Sequence, residues 1–499
     1  MTINKASEQL GARVRLSKQL HRAAYNHYGS AIVSESGVKR SASGVKRLLA
    51  AALLSSSSMV VVEVSAHALP ASVCTPAGPA AGTTVTCSGV TTTREVFAVD
   101  NLTVIADETF NSDTSGTIAT IPNGNSGIMV FGTGGTIRNS GTIKTGQLPN
   151  EGVYHGLHHG ISVTGTTVNS YGENTATGSL TVSGANSRGI LIGMTGSGNA
   201  GAVNRGTISA TGNGSGGISA ATIRGGRTDA INRGTISATG TNAIGVASLA
   251  FGETATATNE TGANITVSGT GASGVTLGGD TIVGTNNGAI TATGLASRGM
   301  AGGSISIATT TLNNAGSIVV SGDGGTGIVG AGPTVNITNS AAGTVSVTGN
   351  GSNYTPTVGL VAAGDTVNVT NHGTVTATGT NFVAGILAGS TTPKTTNVVN
   401  TGTINVVSAG AYSYGILATG PTVNVTNSGN INHKIAAGIS SNINIINDGG
   451  TVGDGDTAII TRYGAATVVT VRGTGNDING AITEFSKGTS TLNFQQTDT

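Results

Sequence analysis

A nine-residue segment occurs twice in the chain without change, and it constrains the fold more than any other feature. The sequence Asn-Arg-Gly-Thr-Ile-Ser-Ala-Thr-Gly stands at 204–212 and again at 232–240. Looser copies follow. Counting all of them, the asparagines that open the copies stand at positions 204, 232, 259, 286, 313, 339, 371, 400 and 427, separated by 26 to 32 residues. A period this regular indicates a repeat architecture, and it has to be recognised before any single motif is interpreted.

Each period contains three runs typical of β-strands. A short Gly–aliphatic run comes first, a Thr/Val/Asn run follows, and a Thr/Ile/Ala run comes after an Asn-x-Gly turn. Alternating β-branched residues indicate strands, and Gly and Asn between them indicate turns. The clearest turns are formed by Asn204, Gly206, Asn232, Gly234, Asn286, Gly288, Asn371, Gly373, Asn400, Gly402, Asn427 and Gly429.

Three short strands per period of about 27 residues predict an all-β parallel β-helix, which we expect to be right-handed. Stacked rungs would bury Ile and Val in a narrow core, place Thr, Ser and Asn outside, and align the asparagines in a ladder of hydrogen-bonded amides. About 12 or 13 rungs are predicted from aliphatic anchors at Ile128, Ile161, Ile190, Ile218, Ile244, Val275, Met300, Ile328, Leu360, Ile386, Ile416 and Ile439, with another near residues 459–471.

The charge pattern separates the first 68 residues from the rest. They carry nine of the 23 Lys and Arg and three of the 22 Asp and Glu, so the remainder is mildly acidic with scattered charges. Such a surface lacks the basic patch that nucleic-acid binding requires. The 81 glycines follow no Gly-X-Y period, which excludes collagen.

Residues 1–68 are predicted to be an extended secretory signal peptide. A basic region ends at Lys46-Arg47, an aliphatic segment follows, and Ala66-His67-Ala68 supplies a small-x-small cleavage site. The competing interpretation, a transmembrane helix, requires a longer and less polar segment. We therefore expect export to the cell surface, the outer membrane or the medium.

Cys74 and Cys87 are the two cysteines of the chain. In an exported protein, two cysteines this close most simply form a disulfide. We expect the bond to hold residues 69–120 as an N-terminal cap on a parallel β-helix that comprises residues 121–499.

The leader and the Asn-Arg-Gly-Thr-Ile and Asn-Ser-Gly-Thr-Ile rungs together resemble the passenger region of Gram-negative autotransporters, over residues 69–499. The resemblance implies a right-handed β-helix, displayed on the outer membrane and acting in adhesion, aggregation or virulence. It also implies a C-terminal translocator barrel, and no barrel-like segment follows the repeats. The chain would then be a truncated product or depend on a separately encoded translocator, without which it would remain in the periplasm.

Candidate catalytic and metal-binding residues are few. Ser215 lies in a turn-like sequence and has no assignable His or Asp partner. Asp280, Asp365, Asp454 and Asp456 recur at Gly-rich corners, where Asp commonly forms turns, although Asp454 and Asp456 weakly resemble a calcium-binding repeat. The sequence 154–159 holds three histidines and is the best metal candidate, but a loop bulging from the rungs also explains it.

Two functions of different classes remain. The first is a non-catalytic adhesin or structural rod without a cofactor, which binds glycans or proteins of host or bacterial surfaces through many weak contacts. The alternative is a polysaccharide lyase or hydrolase on the same scaffold, for which three or more charged side chains should converge on one face. A truncated fragment without function is the third possibility.

Overall fold

The structure is a computed structural model that describes residues 73–113, 126–146, 158–304, 308–352, 354–391, 394–408, 410, 412–438, 442–462, 466–485 and 488–495. These residues form strands and contain no helix. Both units described below are built as a parallel β-solenoid with a period near 28 residues, as the repeat predicts. Two compact units divide between Ala292 and Thr293.

Each rung contributes a strand to three series, which correspond to the three runs of the sequence repeat. In the N-terminal unit, the first-series strands are Glu95–Ala98, Ile128–Phe131, Ile161–Gly165, Arg188–Met194 and Gly216–Thr222. The second-series strands are Thr84–Cys87, Leu102–Ala106, Gly135–Asn139, Ser170–Asn174, Ala200–Asn204 and Thr228–Asn232. First and second series merge into single bent strands at Ile244–Asn259 and Ser273–Asn286. The third-series strands are Val90–Thr91, Asn111–Asp113, Thr142–Thr145, Ser179–Ser183, Thr207–Thr211, Thr235–Thr239, Asn264–Ser268 and Ala289–Thr293.

The C-terminal unit repeats this arrangement. Its first-series strands are Arg298–Ser304, Phe382–Ser390, Tyr412–Thr419, Ile435–Gly438, Thr457–Arg462 and Ala481–Phe485. Its second-series strands are Thr309–Asn314, Thr395–Asn400, Thr422–Asn427, Asn442–Asp448, Ala466–Arg472 and Thr489–Gln495, and merged strands span Thr326–Asn339 and Thr357–Asn371. The third series consists of Ser317–Ser321, Thr344–Thr348, Thr374–Thr378, Thr403–Val407, Asn430–Ile431, Thr451–Val452 and Asp477–Ile478.

Parallel pairing keeps equivalent residues in register from rung to rung. Ile161 pairs with Ile190, and Ile190 pairs with Ile218. All three are fully buried, and burial of one such side chain stabilises the fold by roughly 1.5–3 kcal/mol. The third series supplies a second inward column, formed by Ile143, Leu180, Ile208, Ile236, Ile265 and Ile290.

One of the predicted core anchors, Ile244, is wrong. The residue in register with Ile218 is Val246, and Ile244 occupies the position before the glycine that opens the first-series run. In the C-terminal unit, Ile435 pairs with Ile416, whereas the predicted anchor Ile439 lies outside the described residues. In the first of these rungs, Ile244 precedes Gly245, so the aliphatic residue nearest the corner is not the one that enters the core.

The asparagine ladder lies inside the solenoid rather than on its surface, which corrects the expectation for these residues. In the N-terminal unit, its amides are hydrogen-bonded in the order Asn139, Asn174, Asn204, Asn232, Asn259, Asn286. In the C-terminal unit, the order is Asn314, Asn339, Asn371, Asn400, Asn427, Asn447, Asn476. The sequence repeat placed Asn313 in this column, but the structure places Asn314 there. A buried amide is tolerated because the adjacent rungs supply its hydrogen-bond partners.

The N-terminal end of the described chain carries the disulfide. Cys74 and Cys87 are bonded, both side chains are fully buried, and the strand Cys74–Thr75 runs antiparallel to Thr84–Cys87. Parallel pairing already begins with Thr84–Cys87 and Leu102–Ala106, inside the range expected to form a cap. The predicted signal peptide lies outside the described residues. Within the described ranges, no helical segment has the length and apolarity needed to cross a membrane.

Candidate functional site

The Asn-x-Gly positions singled out by the sequence have a structural role in each rung. Asn204 Nδ2 lies 2.9 Å from Asn232 Oδ1 and 3.1 Å from the Gly206 carbonyl oxygen. A Cβ on Gly206 would collide with the carbonyl oxygen of Gly178 in the preceding rung. The same obstruction by a carbonyl oxygen applies at Gly234, Gly288, Gly373, Gly402 and Gly429. Glycine is needed here because the rungs approach closely, not because of its backbone freedom.

Two of the three histidines of the 154–159 cluster lie within the described residues. His158 and His159 are buried in the corner that precedes Ile161–Gly165, and residues 154–157 lie outside the described chain. The backbone N–H of Arg188 donates to His159 Nδ1 over 3.1 Å. Burial, with smaller contributions from the charges of Arg188 and His158, lowers the pKa of His159 to about 3. His159 is therefore a neutral hydrogen-bond acceptor in the packed corner.

Arg188 and Ser215 stabilise the same set of corners. The guanidinium of Arg188 is buried and donates to the carbonyl oxygens of Ser187 and Gly214. Burial lowers the pKa of Arg188 to about 10. The Ser215 hydroxyl is buried and donates to the carbonyl oxygen of Thr239 over 3.1 Å, so it holds a turn.

Asp454 and Asp365 have turn-forming and pairing roles. Asp454 Oδ1 accepts from the N–H groups of Asp456 and Thr457, and its Oδ2 lies 2.9 Å from His433 Nδ1. Asp365 accepts a hydrogen bond from the Thr391 hydroxyl. No group of three His, Cys, Asp or Glu side chains within the described ranges is arranged to hold a metal ion.

Charged side chains converge instead on an outward face of the N-terminal unit, at a position the sequence did not indicate. Tyr171 and Glu173 are two residues apart in Ser170–Asn174 and so share one face of the strand. Glu173 pairs in register with Arg138 of the preceding rung, and Arg205 follows Asn204 in the next. We call Arg138, Tyr171, Glu173 and Arg205 the Tyr171 cluster.

Glu173 is the centre of the cluster. Its Oε1 lies 2.8 Å from Arg205 Nε, and its Oε2 lies 3.6 Å from Arg138 Nε. The Glu173 side chain is 11% exposed, whereas Arg138 and Arg205 are 58% and 42% exposed. One buried carboxylate thus bridges two guanidinium groups whose outer surfaces remain in solvent.

The electrostatics of the cluster shift the pKa values of Tyr171 and Arg205. Burial raises the pKa of Tyr171, and the charge of Glu173 and a hydrogen bond to Glu173 raise it further. The Tyr171 hydroxyl therefore remains protonated at neutral pH. The hydrogen bond to Glu173 raises the pKa of Arg205. A second ion pair continues the charged face, with Arg233 and Glu260 2.7 Å apart.

The three charged residues of the Tyr171 cluster are far apart in the sequence, so its charges look scattered there. The sequence does show the cluster through the positions of its charges within the repeat. Arg138 and Glu173 each stand directly before a ladder asparagine, and Arg205 stands directly after one. In a solenoid, residues at equivalent positions of successive periods are neighbours in space. No protein-family model, curated protein or solved structure matches the chain.

Proposed function

We propose that the chain is the exported passenger region of an autotransporter-like protein and acts as a non-catalytic adhesive scaffold at a cell surface. The observation that carries this proposal is the in-register parallel stacking of both units, with a buried amide ladder at one corner. Stacking places equivalent side chains in columns, so the outer faces offer many similar contacts at regular intervals. Multiple weak contacts of this kind produce avidity without a catalytic centre.

Two features of the N-terminal region support export. The leader-like sequence of residues 1–68 has the basic, apolar and small-residue segments of a signal peptide. Cys74 and Cys87 form a disulfide, a bond that persists in oxidising compartments and is rare in the cytosol.

The contacts of Ser215 and Asp454 favour binding over catalysis. The Ser215 hydroxyl donates to a backbone carbonyl, and Asp454 is occupied by backbone N–H groups and by His433. Glycoside hydrolysis usually requires two carboxyl groups that flank the scissile bond. The Tyr171 cluster contains one carboxylate, and that carboxylate is already paired with two arginines.

A polysaccharide lyase is the second candidate function, and the convergence of Arg138, Glu173 and Arg205 on one face favours it. In β-elimination, an arginine neutralises the uronate carboxylate while a base removes the adjacent proton. Tyr171 is the nearest candidate base, but its raised pKa leaves little phenolate at neutral pH. We therefore place the lyase second.

Production of the full chain from Met1 in a Gram-negative host tests export. The expected result is a chain that begins at Leu69, recovered outside the cytoplasm with Cys74 and Cys87 resistant to alkylation. Cytoplasmic recovery of the uncleaved chain would contradict export. Beads coated with the exported protein should attach to bacterial or host cells more than beads coated with albumin, and equal attachment would contradict adhesion.

A further inference from the structure

The ring of Tyr171 lies over a glycine of the next rung. Tyr171 pairs in register with Gly201, and a Cβ at Gly201 would lie 3.1 Å from Tyr171 Cδ2. The ring therefore packs against backbone, and the residue remains half-buried at the surface. An aromatic ring held in this way combines a large apolar surface with a polar hydroxyl.

The arginines of the cluster give this surface a local excess of positive charge. Arg138 and Arg205 together carry two positive charges, and Glu173 carries one negative charge between them. In both ion pairs with Glu173, the arginine atom that makes the contact is Nε. Each guanidinium has further N–H donors on its other nitrogen atoms. Arginine binds carboxylates through two parallel hydrogen bonds, so these donors suit an additional carboxylate from outside the protein.

We propose that the Tyr171 cluster binds a uronic acid residue of an extended anionic polysaccharide. The pyranose packs on the ring of Tyr171, and its carboxylate pairs with Arg205 or Arg138. The inference rests on the proposed adhesive function and names its ligand class.

The ligand class follows from the chemistry of the cluster. A neutral sugar has no group that would use the excess positive charge. A small anion without a ring would not use Tyr171. A uronate combines a ring of suitable size with a carboxylate, and the interaction should weaken in salt because both arginines are about half exposed.

The test measures binding of oligogalacturonate to the full chain by calorimetry, with a maltooligosaccharide of equal length as the neutral probe. We expect binding of the uronate and none of the neutral probe. Tyr171→Ala should weaken binding about tenfold, equivalent to about 1.4 kcal/mol. Arg205→Gln should also weaken it, whereas Glu173→Gln should strengthen it because both guanidinium groups lose their internal partner.

Matched variants control for general effects. Arg472→Gln removes an exposed arginine of the C-terminal unit that is paired with Asp448, and Tyr354→Ala removes an exposed tyrosine of that unit. Both should leave binding unchanged, and circular dichroism should show that every variant is folded. Equal binding of the two probes, or full binding by Tyr171→Ala, would overturn the proposal.

Two further readouts separate this proposal from its alternatives. Preferential binding of dextran sulfate over the uronate would overturn the carboxylate assignment, and release of unsaturated uronate would identify a lyase instead. Coated beads that adhere to cells although the uronate does not bind would leave the adhesive function standing and refute only this site. Uronate binding by a chain that is not exported would refute the proposed function and retain the site.

Discussion

Asn204 donates from its side-chain amide to the side-chain oxygen of Asn232 over 2.9 Å, and the two residues occupy the same position of the two identical nine-residue segments. The repeat in the sequence is thus a repeat of contacts in space, one rung apart. Both side chains are fully buried. A polar column can exist inside this solenoid because the Asn204 amide donates to acceptors in its own turn and in the next rung.

Asn204→Asp should destabilise the protein strongly. Asn204 Nδ2 lies within hydrogen-bond distance of Asn232 Oδ1 and of the carbonyl oxygens of Gly206 and Thr235, and aspartate would place a buried negative charge against these acceptors. We expect a loss of at least ~3 kcal/mol. Thermal unfolding followed by circular dichroism measures it.

Asn213→Asp is the matched control for this prediction. Asn213 is exposed, and its side-chain oxygen accepts from the Thr241 N–H over 3.2 Å. Aspartate keeps that acceptor, so the melting temperature should change little. Equal effects of the two substitutions would show that the ladder does not require its donors.

Ala296→Gly should stabilise the C-terminal unit. Ala296 has a φ of 54°, in the left-handed region, and its N–H donates to the Asp323 carbonyl oxygen. A non-glycine residue there costs roughly 1–2 kcal/mol, while the greater freedom of glycine in the unfolded chain offsets part of the gain. The expected net stabilisation is about 0.5–1 kcal/mol.

Asn186→Gly and Ala292→Gly test the reason for this effect. Asn186 has a similar φ of 58°, but asparagine tolerates it better, so the gain should be smaller. Ala292 is a buried residue in a strand, and its replacement should destabilise. A destabilising Ala296→Gly would show that the corner depends on the methyl group.

The fold was largely predictable from the sequence because a solenoid repeats one set of local contacts. Period, strand number and the column of asparagines could all be deduced from spacing. Single residues were harder to assign: Asn314 rather than Asn313 enters the ladder, because two adjacent asparagines fit the spacing almost equally. The Tyr171 cluster was missed because Glu173 meets Arg138 and Arg205 only when three rungs are aligned.

Acidification should destabilise the N-terminal unit through His159. Its pKa in the folded protein is about 3, below the ordinary value of 6.5, because burial disfavours the charged ring. The unfolded chain therefore takes up a proton first as the pH falls below about 6.5, and the folded state loses up to about 1.4 kcal/mol per pH unit until the pH approaches 3. Stability from this residue is fully present above pH 6.5.

His159→Gln should flatten this dependence while keeping a hydrogen-bond acceptor for the Arg188 N–H. His372→Gln serves as the control, since His372 is exposed and contacts the Thr401 hydroxyl. Unfolding by denaturant at several pH values between 4 and 7 measures the slope. An unchanged slope in His159→Gln would contradict the assignment.

Gly234→Ala should disrupt the stack, whereas Gly201→Ala should be tolerated. A Cβ on Gly234 would meet the carbonyl oxygen of Gly206, which belongs to the backbone and cannot move without shifting a rung. A Cβ on Gly201 would lie 3.1 Å from Tyr171 Cδ2, and that ring can shift by a few tenths of an ångström. Neither glycine has a positive φ, so the pair isolates the steric effect from backbone strain.

We expect Gly234→Ala to cost at least ~2 kcal/mol, in the range of overpacked cores, and Gly201→Ala less than ~1 kcal/mol. Thermal unfolding of the two variants side by side measures the difference. Because Gly206 stands one rung before Gly234 in the same column, Gly206→Ala should reproduce the larger cost through the Gly178 carbonyl oxygen. Similar melting temperatures for Gly234→Ala and Gly201→Ala would mean that neighbouring rungs can separate at this corner, and the close approach of successive backbones would then not explain why glycine recurs there.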